Sequence, residues 1–241
     1  RVESESDPGI SDQITRFFSI RNSPLSIFVN NNATAGDVYT TAPGASTNWV
    51  ASSSQPQNSL SQIANLYNME PGDTVYIDTG SYFTSPLVLD RRVSGTSNTY
   101  VIIKGSTNIL AGGTALQGSG VSVNSQLLTL LDTRFMAISN LTIRNARTGL
   151  QLERASGINL SFFTATANSN GVSMRGATNI IINRSVFSAN PGRGVINVGT
   201  LATNRIEHSV FIGNGAYGID QTSGRLDVEH SVLMAHGLKR F

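Results

Sequence analysis

Two pairs of charged residues repeat at one spacing near the C-terminal end of the sequence: Arg205 precedes Asp227 by 22 residues, and Glu207 precedes Glu229 by 22. If a structural repeat has that length, the four side chains lie on one surface, with Glu207 and Glu229 about 5 Å apart. Carboxylates this close repel each other or share a proton, so they can act as general acid and base on a glycosidic bond. Together with Asp227 they can also bind a cation such as Ca²⁺. We predict these four residues as candidate catalytic residues.

The same region allows two other interpretations. Arg205 can pair with Asp227 and leave both glutamates solvated, which would make this an ordinary charged surface that keeps the protein soluble. His208 and His230, which directly follow the two glutamates, can instead contribute to a zinc site. The spacing fixes no third zinc ligand, so the sequence does not define a metal.

The repeat that stacks these residues is visible in three columns of the sequence, each with a period of 22–24 residues. Glycine followed by an aliphatic residue occurs at Gly149-Leu150, Gly171-Val172, Gly194-Val195 and Gly218-Ile219. Ahead of these pairs lie Asn145, Asn168, Asn190 and Asn214, with His236 in the next position. A third column contains Ser185, Ser209 and Ser231. Three columns with one period predict a repetitive architecture.

Short strands fill each repeat. The segments between the columns hold three to five residues with alternating aliphatic side chains, which is too short for a helix-containing repeat. A unit of about 23 residues with three short strands, stacked on copies of itself, is one coil of an all-β parallel β-helix. Ile182, Ile206 and Val228 are expected to point into its core, so that Glu207 and Glu229 point outward. The recurring asparagines are expected to form a ladder of hydrogen bonds from coil to coil.

An amphipathic segment precedes the repeats. Between Ser59 and Met69, Leu60 and Ile63 have helical spacing, and Ser59 with Gln62 matches a capping box. We predict a short N-terminal capping helix here. An uncapped solenoid end would expose both apolar core and an unpaired strand edge.

The N-terminal region also carries a family resemblance. Phe28-Val29-Asn30-Asn31-Asn32, the stretch from Gly36 to Gly44, and Pro71-Gly72-Asp73 continuing to Tyr82 flank a polar loop and the predicted helix. This passage resembles the entry into the right-handed parallel β-helix of the pectin-lyase-like superfamily, as found in large secreted bacterial proteins. The resemblance implies an extracellular or bacterial cell-surface location. It also implies a substrate groove along the exposed sheet whose strands carry Glu207 and Glu229. Because this superfamily contains polysaccharide lyases, hydrolases and non-enzymatic surface proteins, the fold does not define a reaction.

Composition narrows the classes of partner. The 241 residues carry a net charge of +2 and include no cysteine, so no disulfide is expected, and neither is a nucleic-acid partner. No apolar run reaches the roughly 18 residues that span a bilayer. The aromatic residues are scattered and predict no sugar-stacking platform, with Trp49 alone in the loop before the helix.

The ends of the sequence resemble those of an excerpt from a longer polypeptide. We expect residues 1–24 to be a linker or the end of an upstream domain, and residues 25–241 to be the β-helix domain, truncated at its C-terminal end. The expected function is a structural, adhesive or carbohydrate-binding module of a bacterial surface or secreted protein, with a polysaccharide or cell-surface glycan as partner. The alternative is a polysaccharide lyase or glycoside hydrolase that acts on a uronic-acid-containing polysaccharide.

Overall fold

The structure, a computed structural model, describes residues 2–3, 11–12, 23–45, 52–66, 68–120 and 126–237. Its strands are numbered in chain order. The first two, β1 (Val2–Glu3) and β2 (Ser11–Asp12), form a small antiparallel pair. The remaining strands form a solenoid with three faces, which are called sheets 1, 2 and 3 below.

Within each face, neighbouring strands come from successive coils. Sheet 1 contains, in stacking order, β3 (Ser26–Val29), β4 (Thr74–Ile77), β7 (Val101–Gly105), β10 (Arg134–Ser139), β13 (Ser156–Ser161), β16 (Ile181–Asn183) and the C-terminal parts of β18 (Arg193–Glu207) and β20 (Tyr217–Glu229). Sheet 2 contains β6 (Leu87–Leu89), β9 (Gln126–Leu131), β12 (Thr148–Glu153), β15 (Asn170–Arg175) and the N-terminal parts of β18 and β20. Sheet 3 contains β5 (Gly80–Phe83), β8 (Thr114–Gln117), β11 (Leu141–Arg144), β14 (Thr164–Thr166), β17 (Val186–Ser188), β19 (Val210–Ile212) and β21 (Val232–Met234). These neighbours pair in parallel, so the predicted all-β parallel β-helix is confirmed.

The core consists of apolar columns that run along the solenoid axis. Ile182, Ile206 and Val228 are direct partners in neighbouring strands of sheet 1, as predicted. Ile182 and Ile206 are fully buried, whereas Val228 is 42% exposed because β20 is the last described strand of sheet 1. In sheet 3, the rings of Phe187 and Phe211 stack with centroids 4.8 Å apart, which matches the spacing between strands. The predicted column of sheet 2 is also in register: Leu150, Val172, Val195 and Ile219.

The predicted helix is present as α1 (Leu60–Leu66) and is shorter than expected. The Ser59 hydroxyl accepts a hydrogen bond from the Gln62 N–H at 3.3 Å, which is one half of the predicted capping box. The other half is absent, because Oε1 of Gln62 is buried without a partner in the described structure. Leu60 and Ile63 are buried in the common core, as expected of a cap. A 3₁₀ helix spans Ile109–Ala111.

Three of the recurring asparagines form a hydrogen-bonded row at the corner between sheets 3 and 2. Nδ2 of Asn190 donates to Oδ1 of Asn214 at 2.8 Å, and Nδ2 of Asn168 donates to Oδ1 of Asn190 at 3.4 Å. All three side chains are fully buried. His236 follows in the same column, but neither of its ring nitrogens has a partner among the described residues. The row of hydrogen bonds therefore ends at Asn214.

The expectation that Asn145 belongs to this row is wrong. The N–H of Ala146 donates to Oδ1 of Asn168, so Ala146 occupies the equivalent position one coil earlier. Asn145 lies beside Ala167 and, like Ala167, has a left-handed backbone, with φ values of 59° and 52°. Asn168 lies 22 residues after Ala146 and 23 residues after Asn145. Both spacings fall within the observed period of 22–24 residues, so the period alone does not distinguish the two positions.

The serine column forms a second row, at the corner between sheets 1 and 3. The N–H of Ser185 donates to Oγ of Ser209 at 3.2 Å, and the N–H of Ser209 donates to Oγ of Ser231 at 3.1 Å. The hydroxyls of Ser209 and Ser231 donate to the backbone carbonyls of Glu207 and Glu229, both at 2.8 Å. These bonds fix the backbone of the two predicted glutamates.

Two of the sequence-based predictions concern residues 1–24 and Trp49. Most of residues 1–24 lie outside the described residues, and so does Trp49. The described solenoid extends from β3 to β21. No helix in the described ranges has the length and apolar character needed to cross a membrane.

Candidate functional site

The outer face of sheet 1 carries two columns of side chains that alternate with the buried columns. One column runs Ser26, Thr74, Ile102, Ala137, Asn159, Ile181, Arg205, Asp227. The other runs Phe28, Tyr76, Lys104, Ser139, Ser161, Asn183, Glu207, Glu229. The face therefore has an aromatic end, a middle of mostly small and polar residues, and a charged end.

The charged end brings together all four predicted residues. Nε of Arg205 lies 2.6 Å from Oε1 of Glu207, and an Nη atom of Arg205 lies 2.8 Å from Oε2 of Glu229. The hydrogen bond to Glu229 and the charges of the neighbouring acids raise the pKa of Arg205. Asp227 pairs with Arg225 instead, at 3.1 Å between Oδ1 and Nε. The alternative Arg205–Asp227 pair is thus not formed, and one guanidinium offsets the repulsion between the two glutamates.

The metal sites suggested by the sequence do not fit this geometry. Glu207, Glu229 and Asp227 are each paired with a guanidinium group, which leaves no set of free carboxylates for Ca²⁺. The rings of His208 and His230 stack with centroids 5.0 Å apart and planes at 7°. The nitrogen lone pairs lie in the ring planes, so two rings stacked in parallel planes do not direct them at one shared zinc ion. Within the described ranges, no group of three or more histidine and acidic side chains is placed to hold a metal ion.

The opposite end of the face is an aromatic platform formed by Phe28, Tyr39, Tyr76 and Lys104, and the expectation of scattered aromatics is therefore wrong. Phe28 and Tyr76 stack with centroids 5.2 Å apart and planes at 15°. Tyr39 packs on Tyr76 at 5.0 Å, and Nζ of Lys104 lies 5.9 Å from the centre of the Tyr39 ring. The platform combines half-buried aromatic side chains with a cation, which suits the apolar faces and the carboxylate groups of acidic sugars.

Asp78 fixes the loop that carries Tyr39. Its buried carboxylate accepts hydrogen bonds from the backbone N–H groups of Val38, Tyr39 and Thr40 at 2.6–2.8 Å. The Tyr39 hydroxyl donates to the Gly105 carbonyl at 3.0 Å. Because both the backbone and the ring end are bonded, the position of Tyr39 in the platform is set by the solenoid.

Asp37 gives this loop a pH-dependent element. Burial raises the pKa of Asp37 above its ordinary value of 3.8; hydrogen bonds from Asn30 and Thr40 oppose this change, and the charge of Asp78 adds to it. The folded protein therefore binds this proton more tightly than the unfolded chain, and the stability contributed here falls as the pH rises above about 3.8. We therefore expect the melting temperature of Asp37→Asn, relative to that of the original protein, to increase as the pH is raised from about 3 to about 7. Parallel melts with the opposite trend would refute this assignment.

A family comparison covers most of this face. A family model described as "Right handed beta helix region" matches residues 73–232. This chain belongs to the right-handed β-helix family. The matched region includes Tyr76, Lys104 and the four charged residues from Arg205 to Glu229. It therefore contains residues from both ends of the outer face of sheet 1.

Two solved structures resemble this right-handed β-helix. The crystal structure of pectate lyase Pel9A superposes with a TM-score of 0.70 and 14% identity, over 90% of this chain and 56% of that chain. The crystal structure of an alginate lyase from Paenibacillus sp. str. FPU-7 gives a TM-score of 0.61 and 21% identity, over 75% of this chain and 65% of that chain. The chain thus spans less than two thirds of the length of each, and the likeness confirms the predicted pectin-lyase-like fold. No curated protein sequence matches the chain significantly.

Proposed function

We propose that this protein is a non-catalytic carbohydrate-binding module of an extracellular or bacterial cell-surface protein. The observation that supports the proposal is the continuity of one exposed face. The aromatic platform, the polar middle and the charged end lie on consecutive strands of sheet 1. The path from β3 to β20 makes this face roughly 34 Å long, at about 4.8 Å per strand. A face of this length suits an extended polysaccharide chain.

The side chains on the face match the groups of an acidic polysaccharide. The half-buried rings of Phe28 and Tyr76 offer apolar contact area for the apolar faces of sugar rings. Lys104 can pair with a uronate carboxylate. Serine and asparagine side chains between the two ends can hydrogen bond to sugar hydroxyls. We therefore propose a uronic-acid-containing polysaccharide as the ligand.

The ion pairs favour binding over catalysis. A general acid or base must exchange a proton with a substrate that lies within hydrogen-bond reach. One oxygen of Glu207 and one of Glu229 are already held by Arg205, and Asp227 is held by Arg225. A network in which each acid has a guanidinium partner is better suited to fixing the shape and charge of a binding surface.

Removal of one ring from the platform tests this function. In Tyr76→Ala, we expect the affinity for polygalacturonate or alginate, measured by affinity electrophoresis, to fall about tenfold because apolar contact area for the sugar rings is lost. Phe83→Ala is the matched control, since Phe83 is 79% exposed but lies on sheet 3. Unchanged affinity in Tyr76→Ala, or an equal loss in Phe83→Ala, would exclude the platform as the binding surface. Thermal melts of both variants establish that they fold.

A polysaccharide lyase or glycoside hydrolase is the second candidate, favoured by the gathering of Arg205, Glu207, Asp227 and Glu229 at one end of the face. In that case pectate or alginate would yield unsaturated products or new reducing ends, and Glu207→Gln and Glu229→Gln would abolish them. Under the binding proposal no product forms. Each glutamine variant then changes the free energy of unfolding by no more than about 1 kcal/mol, as for other exposed ion pairs.

A further inference from the structure

A polar trough lies on the outer face of sheet 2, which is a different face of the solenoid from the one described above. It has a volume of about 310 Å³ and extends across β9, β12, β15 and β18. Its lining includes Arg147, Thr148, Gln151, Glu153, Ser173 and Arg175. Most of these side chains are hydrogen-bond donors.

Two guanidinium groups of the trough have no carboxylate partner within the described structure, those of Arg147 and Arg175. The one carboxylate in the lining, that of Glu153, pairs with Arg154 at 3.1 Å. Arg154 also holds Asp132, at 2.8 Å. The trough therefore retains two positive charges that no ion pair among the described residues neutralises.

A buried amide in the trough also requires an acceptor. Gln151 is only 5% exposed, yet its Nε2 has no hydrogen-bond partner among the described residues. An amide donor removed from water without an acceptor is unfavourable, so a ligand oxygen at this position would both bind and stabilise the protein. Ser173, the cross-strand partner of Gln151 in β15, is 3% exposed and adds a hydroxyl to the same lining.

The donors are spread along the direction of the strands. Arg147 directly precedes β12, and Arg175 is the cross-strand partner of Glu153 at the other end of β12. The Cα atoms of the two arginines are therefore roughly 20 Å apart along the strand, with Gln151 between them. Cations at both ends and a neutral donor in the middle fit an extended ligand that has several acceptor groups.

We propose that this trough binds a carboxylate-bearing saccharide that lies along β12 and β15. Its acid groups pair with Arg147 and Arg175 through charge-assisted hydrogen bonds, and a hydroxyl or ring oxygen accepts from Gln151. The hydroxyls of Thr148 and Ser173 can both donate and accept, which suits the hydroxyl groups of a sugar better than a purely anionic ligand. The site is independent of the proposed binding face on sheet 1.

The test is a titration of ¹⁵N-labelled protein with trigalacturonate, followed through the side-chain amide resonance of Gln151. We expect a saturable shift, and an apparent affinity at least about tenfold weaker in Arg147→Ala and in Arg175→Ala. Arg184→Ala is the matched control, because it removes one guanidinium that packs over Phe162 outside the trough, at 5.7 Å from the ring centre. Its affinity should equal that of the original protein. The remaining amide spectrum of each variant shows whether it is folded.

Two further ligands separate the parts of the proposal. The trimethyl ester of trigalacturonate, which lacks charge, and tricarballylate, which lacks a sugar ring, should each bind at least about tenfold more weakly than trigalacturonate. A Gln151 resonance that does not move, or arginine variants that bind as tightly as the original protein, would overturn the site. Equal binding of either comparison ligand would overturn the saccharide assignment. Because Tyr76 lies on sheet 1, Tyr76→Ala leaves the Gln151 shift in place, so failure of one proposal is distinguishable from failure of the other.

Discussion

Replacement of Ile206 by aspartate should unfold the solenoid or lower its free energy of unfolding by at least about 4 kcal/mol. Ile206 is fully buried between Ile182 and Val228 in the inward column of sheet 1. A carboxylate at this position would lie between aliphatic layers without a cation or a hydrogen-bond donor from that column. Thermal and urea denaturation measure the loss.

Two matched variants separate burial of charge from loss of packing. Ile206→Val retains the aliphatic column and should cost about 0.5–1.5 kcal/mol. Val228→Asp places the same charge in the same column, but at a position that is 42% exposed, so it should cost far less than Ile206→Asp. If Ile206→Asp melts at the same temperature as Ile206→Val, the side chain does not point into the core.

Asn190→Ala should lower the free energy of unfolding by about 3 kcal/mol, because it leaves buried backbone groups without partners. Nδ2 of Asn190 donates to the Ala165 carbonyl at 3.1 Å, and Oδ1 of Asn190 accepts from the Asn168 N–H at 3.0 Å. Neither group is close to water, since Asn168, Asn190 and Ala165 are fully buried. The loss is measured by denaturant titration.

Asn145→Ala is the control for this effect. Asn145 lies one residue outside the hydrogen-bonded row, in a left-handed position where Ala167 and Ala189 already occur in the next two coils, with φ values of 52° and 51°. The substitution should therefore cost no more than about 1 kcal/mol, the scale of the backbone preference alone. Equal losses at Asn145 and Asn190 would mean that the asparagines act through the turn conformation and not through the row.

The regular coils were predictable from the sequence because every coil repeats the same inward positions. The aliphatic columns and the placement of Glu207 and Glu229 on the outer face follow from a period of 22–24 residues and from side-chain alternation. The period itself varies by two residues, however, so it cannot place Asn145 to within one position. The sequence also could not predict that Arg205 pairs with Glu207 and Glu229 and not with Asp227. A long arginine side chain can reach several neighbouring carboxylates, and residue spacing does not determine which of them it contacts.

The aromatic platform was missed because it belongs to the irregular first coils. Phe28 and Tyr76 are direct partners in β3 and β4 but lie 48 residues apart, since the loop and α1 intervene. Tyr39 comes from that same loop and has no periodic position. The signal that could have shown the pair is the matching third residue of the two strands, in Ser26–Val29 and Thr74–Ile77.

The binding face is tested most directly by hydroxyl-radical footprinting of the protein with polygalacturonate, with Tyr76 and Phe83 as the reporters. Both are aromatic side chains; Tyr76 lies on the outer face of sheet 1, and Phe83 is 79% exposed on sheet 3. We expect the bound chain to protect Tyr76 from oxidation and to leave Phe83 as reactive as in the free protein. Protection of Phe83 with Tyr76 unchanged, or protection of neither residue at saturating polygalacturonate, would contradict binding along sheet 1.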